Sequence, residues 1–358
     1  MEKKLSAKAI LFIAGTLGQG GAEKQLFLLA RSLFQNGHKV NVICLTSDEY
    51  WEFRLKEIGI KIYNISRKSS RFKKFLEIKK IVKYLKPDVV YSFHFYTSLY
   101  AGLLRFFIPN VLTIGSLRGN GVSEIIENGL WSWLHMHLCH KIISNNQFAI
   151  DQISKRLFIS EKKLFLLNNA VELPKLENKE FMMDGYLKVA FVGRLVESKD
   201  PFFLLEILDR IKNYNFRLDI IGDGYLMGNL VKRVDDLNLG NKCFFLGLLD
   251  NVDMKLFNYD ILISTSKHEG TPNAVLEALS AKCLIITRDF NGISELLKSV
   301  DPRYEELIFT EIDEAEEILL NILCNKFKCE YLIYNGLEFI KKHHSTSIQI
   351  MQFKQIIQ

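Results

Sequence analysis

Two carboxylates and two cations stand where chemistry on a phosphate-bearing ligand could be done. Glu269 lies in the turn Glu269-Gly270-Thr271-Pro272-Asn273, between an apolar run, Asp260 to Thr265, and a helix-forming stretch, and Glu277 follows after seven intervening residues. The turn holds residues that start helices: a hydroxyl able to cap, a proline whose fixed φ suits the first turn, and a glycine that lets a ligand approach the backbone. N–H groups at such a start attract anions. One carboxylate would then stand beside the helix N-terminus and the other about one turn in, a pair suited to holding hydroxyls near a docked phosphate. The plain structural reading of the same pair is a solvated loop glutamate and a helix glutamate near the favourable end of the dipole. Arg194 follows Gly193 after another apolar run, and Lys199 comes five residues later.

These residues need a scaffold that brings loops together, and the second half of the chain predicts one. Strands at Lys188 to Val192, Phe216 to Ile221, Cys243 to Leu246, Asp260 to Thr265 and Leu284 to Thr287 alternate with helices at Phe202 to Lys212, Tyr225 to Leu237, Met254 to Phe257, Asn273 to Leu279 and Ile293 to Leu297. Such alternation specifies an α/β fold with a parallel sheet, doubly wound by helices on both faces. Ligands of open sheets lie outside the carboxyl ends of the strands. Gly193-Arg194, Gly222-Asp223-Gly224, Gly247 and His268-Glu269 each follow one of four strands.

The first half repeats the scheme. Strands are expected at Ala7 to Ala14, Val40 to Thr46, Val89 to Ser92, Val111 to Ile114, Lys141 to Ser144 and Leu164 to Leu167, with helices from Ala22, at Phe72 to Leu85, Thr97 to Phe106, Leu130 to Leu138 and Gln147 to Leu157. The expected division is a first domain over 1–174, a polar linker over 175–185, a second domain over 186–325, and helical sequence over 326–358.

Length and composition fit two domains: 358 residues exceed what one core usually serves, and 48% apolar with 25% charged residues is an ordinary globular balance. No apolar run reaches the roughly 20 residues of a membrane span, so a soluble or peripheral cytoplasmic protein is expected. Six cysteines without a C-x-x-C pair read as reduced and structural. The net charge of +6 divides unevenly, with 27 Lys+Arg against 15 Asp+Glu in residues 1–180 and 20 against 26 in the remainder. The basic half suggests an anionic partner.

A glycine-rich loop, Gly15 to Gly21, follows the first strand. A P-loop needs lysine where Gly21 stands, and the dinucleotide fingerprint needs a third glycine where Glu23 stands. The loop is read either as a backbone that approaches a ligand or as a tight strand-to-helix turn. His135, His137, His140 and Cys139 spread around more than one helix face, which argues against zinc. Arg67 to Lys83 interleaves Phe72, Phe75, Leu76, Ile78 and Ile81 with lysines and arginines, either a basic amphipathic segment for an anionic membrane or a helix packing one face with solvated lysines. No nucleic-acid motif accompanies it.

Glu269-Gly270-x-Pro272-Asn273-x-x-Leu276-Glu277-Ala278 resembles the signature of the retaining glycosyltransferases of family 4. Gly193-Arg194-Leu195 with Lys199, Ile221-Gly222-Asp223-Gly224 and Phe245-Leu246-Gly247 precede it in the family's order. The resemblance covers nearly the whole chain, most specifically from Val189 to Leu296, and is looser before Pro174. It implies the GT-B architecture, two Rossmann-like doubly wound domains facing a central cleft, the first binding the acceptor and the second the nucleotide-sugar. It also implies that the last helices cross back to the first domain.

The implied reaction is hexosyl transfer with retention, from a nucleotide-diphosphate donor, UDP-sugar foremost, to a lipid-linked or free glycan acceptor in surface polysaccharide assembly. Breaking the anomeric bond leaves negative charge on a diphosphate. With no Asp-x-Asp in the chain, Arg194 and Lys199 are the expected clamps, and neither metal nor other cofactor is expected. The resemblance assigns Glu277 to the ribose, Glu269 to the sugar or diphosphate, and the N–H groups around Thr271 to Ala274 to phosphate, with Gly270, Thr271, Pro272, Asn273 and Ala274 all counted as donor-binding. It puts Gly20 and Gly21, in Gly20-Gly21-Ala22-Glu23, beside the donor phosphates and the acceptor. Where many relatives carry an acceptor-side histidine, this chain has Gly115-Ser116-Leu117-Arg118, leaving Arg118 and His94 as acceptor-side candidates. A sugar-nucleotide epimerase of the same fold and a binding protein without catalysis are the alternatives.

Overall fold

The computed structural model describes residues 7–118, 133–173, 179, 181–182, 186–290 and 292–358, with Leu157 by its backbone alone. The chain divides into two compact units, Met1–Ala170 with Thr346–Gln358, and Val171–Ser345.

In unit 1 the strands are β1 (Ala9–Ala14), β2 (Lys39–Cys44), β3 (Lys61–Asn64), β4 (Val89–Ser92), β5 (Leu112–Leu117), β6 (Lys141–Ser144) and β7 (Leu164–Leu166). They form one sheet in the order β3-β2-β1-β4-β5-β6-β7, with every pair parallel. Helices α1 (Gly21–Gln35), α2 (Tyr50–Glu57), α3 (Arg71–Leu85), α4 (Ser98–Leu104) and α5 (Gln147–Leu157) connect them. β1 is buried from Ile10 to Ala14 on both faces, which explains its uninterrupted apolar sequence. On α3, Phe75, Ile78 and Val82 face the core, and Ser70 caps the helix by accepting from the Lys73 N–H.

Three differences from the sequence reading concern this unit. α2 and β3 had no counterpart in it: β3 is an edge strand of four residues, half-exposed on both faces, without the continuous apolar run of a central strand. β5 does not stop at Ile114, because β6 keeps pairing with it through Gly115, Ser116 and Leu117. Gly115 fits there because a Cβ would sit 3.1 Å from the buried Cys139 Sγ. Of the residues expected just after this strand, only Arg118 lies beyond its end. The helix expected over Leu130 to Leu138 is described from 133 onward, and its start lies outside the described residues.

Unit 2 has strands β8 (Leu187–Val192), β9 (Phe216–Ile221), β10 (Cys243–Gly247), β11 (Ile261–Ser264), β12 (Leu284–Arg288) and β13 (Ile308–Phe309), all parallel, in the order β10-β9-β8-β11-β12-β13. Its helices are α6 (Pro201–Arg210), α7 (Met227–Asp236), α8 (Asn273–Ser280), α9 (Ile293–Val300), α10 (Ile312–Leu323) and α11 (Glu330–His343), with one short turn over Val252–Lys255. α11 presses Gly336 onto α8, where a Cβ would come 2.8 Å from Leu279 Cδ2.

Of the sequence expected to link the domains, Lys175, Glu177, Asn178 and Glu180 lie outside the described residues. Lys179 is anchored in unit 2. Its ammonium donates to the carbonyls of Tyr259, Ala281 and Lys282, and burial lowers its pKa. All six cysteines are unpaired, and five are buried; burial pushes the Cys139 thiol up to about 12.

Of the helical sequence after 325, α11 stays with unit 2 and only α12 (Thr346–Ile356) joins unit 1. There Gln349 donates to the Asn168 carbonyl at 2.9 Å, and the Phe353 ring, fully buried, stacks on Tyr91 with centroids 5.7 Å apart. Phe353→Ala is expected to lower stability by about 3–5 kcal/mol, as for a buried phenylalanine truncated in a packed core. Urea denaturation checks this, and a loss below about 1 kcal/mol would mean that α12 is not part of that core.

Candidate active site

Parallel strands all leave a sheet at one edge, and where the strand order reverses the outgoing loops diverge and leave room for a ligand. The reversal falls between β1 and β4 in unit 1 and between β8 and β11 in unit 2. The loops after these four strands carry most of the polar residues singled out above.

In unit 2 the loop after β8 contains Gly193, Arg194 and Lys199, and the loop after β11 contains Ser266 to Pro272. Lys199 Nζ lies 2.5 Å from Glu269 Oε1, and Ser266 Oγ donates to the same oxygen at 2.8 Å. Both charged side chains are less than one-fifth exposed. The pair has a visible support: the Thr265 hydroxyl donates to the carbonyls of Lys199 and Asp200, and the Lys267 N–H donates to the Ser198 carbonyl. The Asp200 carboxylate in turn takes Lys267 Nζ at 3.0 Å and Arg288 Nη1 at 3.1 Å, with the Arg288 guanidinium over the Phe203 ring. Arg194 is exposed and, among the described residues, makes no ion pair.

The glycines here serve close backbone approach. Gly222 has φ +142°, and a Cβ on it would lie 1.9 Å from the Gly193 carbonyl oxygen; a Cβ on Gly224 would lie 2.3 Å from the Leu195 carbonyl oxygen. The Leu195 N–H donates to the Asp223 carbonyl across the same junction. The Lys199 stem passes over Gly193, 3.5 Å from where its Cβ would be.

α8 begins at Asn273, with Pro272 as the residue before it and no side-chain cap. The proline is thus at the cap rather than in the first turn. The N–H groups of the first turn, at Asn273, Ala274 and Val275, have no carbonyl one turn behind them within the helix. Glu277 is buried on α8 at 6% exposure.

Gly20, Gly21, His94 and Arg118 belong to unit 1. Gly20 caps α1, and its N–H is taken by the Gly18 carbonyl. Glu49 holds the rest of the loop: it accepts from the Leu17 N–H and from the hydroxyls of Thr16 and Thr46. His94, after β4, takes the Gly15 N–H on Nδ1 at 3.1 Å and faces Glu23 Oε1 with Nε2 at 3.2 Å. Tyr96 stacks on the His94 ring, and burial, with the Glu23 and Glu49 carboxylates adding to it, pushes its hydroxyl up to about 12. Arg118 turns inward over the Phe93 ring at 3.7 Å and reaches Asn169 and Tyr91 at 3.4 Å.

The three clustered histidines go to separate partners, His135 to Phe95, His137 to Trp133 and His140 to Thr113. Among the described residues no group of three or more His, Cys, Asp or Glu is placed to hold a metal ion. Sequence reasoning missed Ser266, Asp200, Arg288 and Glu49, and gave Glu23 no role. Ser266 and Asp200 could have been found by adjacency, each being within three residues of a residue already chosen. Glu49 and Arg288 carried no local signal.

Two protein-family models cover consecutive parts of the chain: Glycosyltransferase Family 4 matches residues 19–175, and Glycosyl transferases group 1 matches residues 174–339. The chain belongs to the family 4 glycosyltransferases. A Campylobacter jejuni relative, GalNAc-alpha-(1->4)-GalNAc-alpha-(1->3)-diNAcBac-PP-undecaprenol alpha-1,4-N-acetyl-D-galactosaminyltransferase, is 28% identical over 309 residues, 81% of this glycosyltransferase and 82% of the relative. An Escherichia coli relative, UDP-Gal:alpha-D-GlcNAc-diphosphoundecaprenol alpha-1,3-galactosyltransferase, is 27% identical over 210 residues, 52% of this chain and 54% of the relative. Among solved structures, Anabaena HepE in complex with UDP-glucose superposes with a TM-score of 0.81 at 15% identity, over 98% of this chain and 99% of HepE. The glycosyltransferase has the GT-B fold.

The backbone contact at Gly222 gives a paired prediction. Gly222→Ala is expected to cost about 2 kcal/mol or more, since φ and contact both oppose a Cβ. Gly228→Ala, on α7 with nothing within 4 Å of the new methyl, is expected to be neutral or stabilising by up to about 1 kcal/mol. Equal denaturation midpoints for the two variants would refute the steric account.

Proposed function

We propose that this glycosyltransferase moves a hexosyl group, with retention and without a metal, from a UDP-sugar to a polyprenyl-diphosphate-linked glycan in surface polysaccharide assembly. The observation that carries the donor assignment is the Lys199–Glu269–Ser266 cluster beside exposed Arg194, at the sheet reversal of unit 2. In this reading the diphosphate meets Arg194, Lys199 and the N–H groups at the start of α8, around Thr271, Asn273 and Ala274, with Gly270 giving close approach. Gly193, Gly222 and Gly224 keep the two supporting loops in register. Glu269 takes a donor-sugar hydroxyl, and Glu277 takes the ribose.

The bond between the anomeric carbon and the β-phosphate oxygen breaks, and its electron pair leaves with UDP. An acceptor hydroxyl oxygen bonds to the anomeric carbon on the same face, and its proton passes to the departing phosphate. Two cations and a helix end serve the developing charge. The names of the Campylobacter and Escherichia coli relatives support an acceptor on a polyprenyl diphosphate, with galactose or N-acetylgalactosamine first among donor sugars to try.

Calorimetry with UDP, GDP and ADP in chelator, followed by turnover of UDP-galactose, UDP-N-acetylgalactosamine and their gluco counterparts with undecaprenyl-diphosphate-linked N-acetylgalactosamine, tests the proposal. Selective UDP binding, weakened about tenfold or more by Arg194→Ala, is expected, a difference of about 1.4 kcal/mol. Product NMR reads the anomeric configuration. Isomerised donor without transfer would indicate an epimerase, and binding without turnover a non-catalytic protein.

A lipid-linked acceptor also calls for a surface that meets lipid. Phe72 and Leu76 on α3 and Phe106 and Phe107 after α4 are exposed, and Lys79 Nζ lies 3.9 Å above the Phe107 ring, joining the two groups. Lys73 and Lys80 flank them. No helix among the described residues is long and apolar enough to cross a membrane. We therefore assign this patch of Arg67 to Lys83 to peripheral contact with the cytoplasmic leaflet. Sedimentation with phosphatidylglycerol vesicles is expected to weaken about thirtyfold for Lys73→Gln with Lys80→Gln, at about 1 kcal/mol per lysine. Equal partitioning of wild type into phosphatidylcholine vesicles would exclude the charge-based contact.

A further inference from the structure

The loop at the sheet reversal of unit 1 is built around a carboxylate. Glu23 stands in the first turn of α1, and His94 stands at the end of the neighbouring β4; their side chains are 12% and 11% exposed. The Gly15 N–H requires an unprotonated Nδ1, so the imidazole proton sits on Nε2 and is donated to Glu23 Oε1. Both ring nitrogens are thereby engaged, and His94 has nothing left to offer a ligand. Glu23 has: among the described residues its Oε2 makes no hydrogen bond. That oxygen lies 2.2 Å from where a Cβ of Gly20 would be, so only glycine at 20 admits the carboxylate in this position. Gly15 has the same relation to Tyr96, whose hydroxyl would be 1.8 Å from a Cβ there, and Tyr96 covers the His94 ring.

The charge of this loop selects its ligand. Glu23 stands in the first turn of α1, and Glu49, the residue before α2, reaches the same loop and already takes the Leu17 N–H. A phosphate here would face the Glu23 and Glu49 carboxylates, and the N–H groups of Gly15, Leu17, Gly18 and Gly20 are already taken, whereas a neutral hydroxyl can donate to Glu23. We propose that Glu23 binds a sugar hydroxyl through Oε2, with His94 as its positioning residue and Gly20 leaving room for the carboxylate. The inference rests on the glycosyl-transfer reading above. The hydroxyl can come from the acceptor or from the donor sugar, and kinetics distinguish them.

The test compares Glu23→Gln, Gly20→Ala and His94→Gln with wild type, by UDP calorimetry and by initial rates with undecaprenyl-diphosphate-linked N-acetylgalactosamine and the UDP-sugar that wild type turns over. UDP affinity is expected to stay within twofold. KM for one substrate is expected to rise tenfold or more in Glu23→Gln and Gly20→Ala, and in the same direction in His94→Gln, with kcat changing less. A rise in acceptor KM assigns the hydroxyl to the acceptor, and a rise in donor KM assigns it to the donor sugar. Unchanged KM values in variants with wild-type melting temperature would overturn the proposal, as would a tenfold loss of UDP affinity. If wild type itself neither binds UDP nor transfers a sugar, the glycosyl-transfer reading fails, and this assignment falls with it.

Discussion

A parallel sheet imposes one constraint on everything attached to it: all strands end at the same edge, so each connection must return over a face before the next strand begins. Both units obey it, and in both the order of strands reverses once, between β1 and β4 and between β8 and β11. The reversal sends successive loops to opposite sides and leaves a notch between them. Lys199 and Glu269 come from the two sides of one notch, and Glu23 and His94 from the two sides of the other. Residues separated by 70 positions in one case and 71 in the other meet because the topology leaves them that place.

The two notches differ in charge. In unit 2 the cations outnumber their partners locally: Lys199 is matched by Glu269, Asp200 is shared between Lys267 and Arg288, and Arg194 remains exposed. In unit 1 carboxylates occupy the corresponding loops, and their oxygens take N–H and hydroxyl donors. Backbone contact makes both arrangements rigid. Gly222 against Gly193 in one unit and Glu49 bridging Thr16, Leu17 and Thr46 in the other remove the freedom that glycine-rich loops would otherwise keep.

The sheets and the unit 2 loops were legible in the sequence because buried parallel strands are continuous apolar runs, and Val89–Ser92, Lys141–Ser144 and Phe216–Ile221 have the bounds their composition implies. β3 and β13 were not, being short edge strands with little apolar signal. α2 was hidden because it buries only Trp51, Glu52 and Leu55 and alternates charged with aromatic residues elsewhere. Lys199, Glu269 and Arg194 could be chosen from their places after strands. Glu23 and Glu49 could not, since a single acidic residue has no spacing to recognise and their partners lie 71 and 33 positions away. The place of His94 after β4 marks it as a candidate to face a ligand, and its two hydrogen bonds are visible only in three dimensions.

Unit 1 is assembled from two separated pieces of chain, with the whole of Val171–Ser345 between them. Its core cluster includes Phe353, Ile356 and Ile357 together with residues as early as Ile10. On the ribosome, where the chain emerges from its N-terminus, unit 2 has all its residues before unit 1 does. The first seven strands must therefore wait with Tyr91 and its neighbours uncovered through the synthesis of another 175 residues. Nascent-chain protection is then a requirement of this topology, and the first unit made is the last one finished.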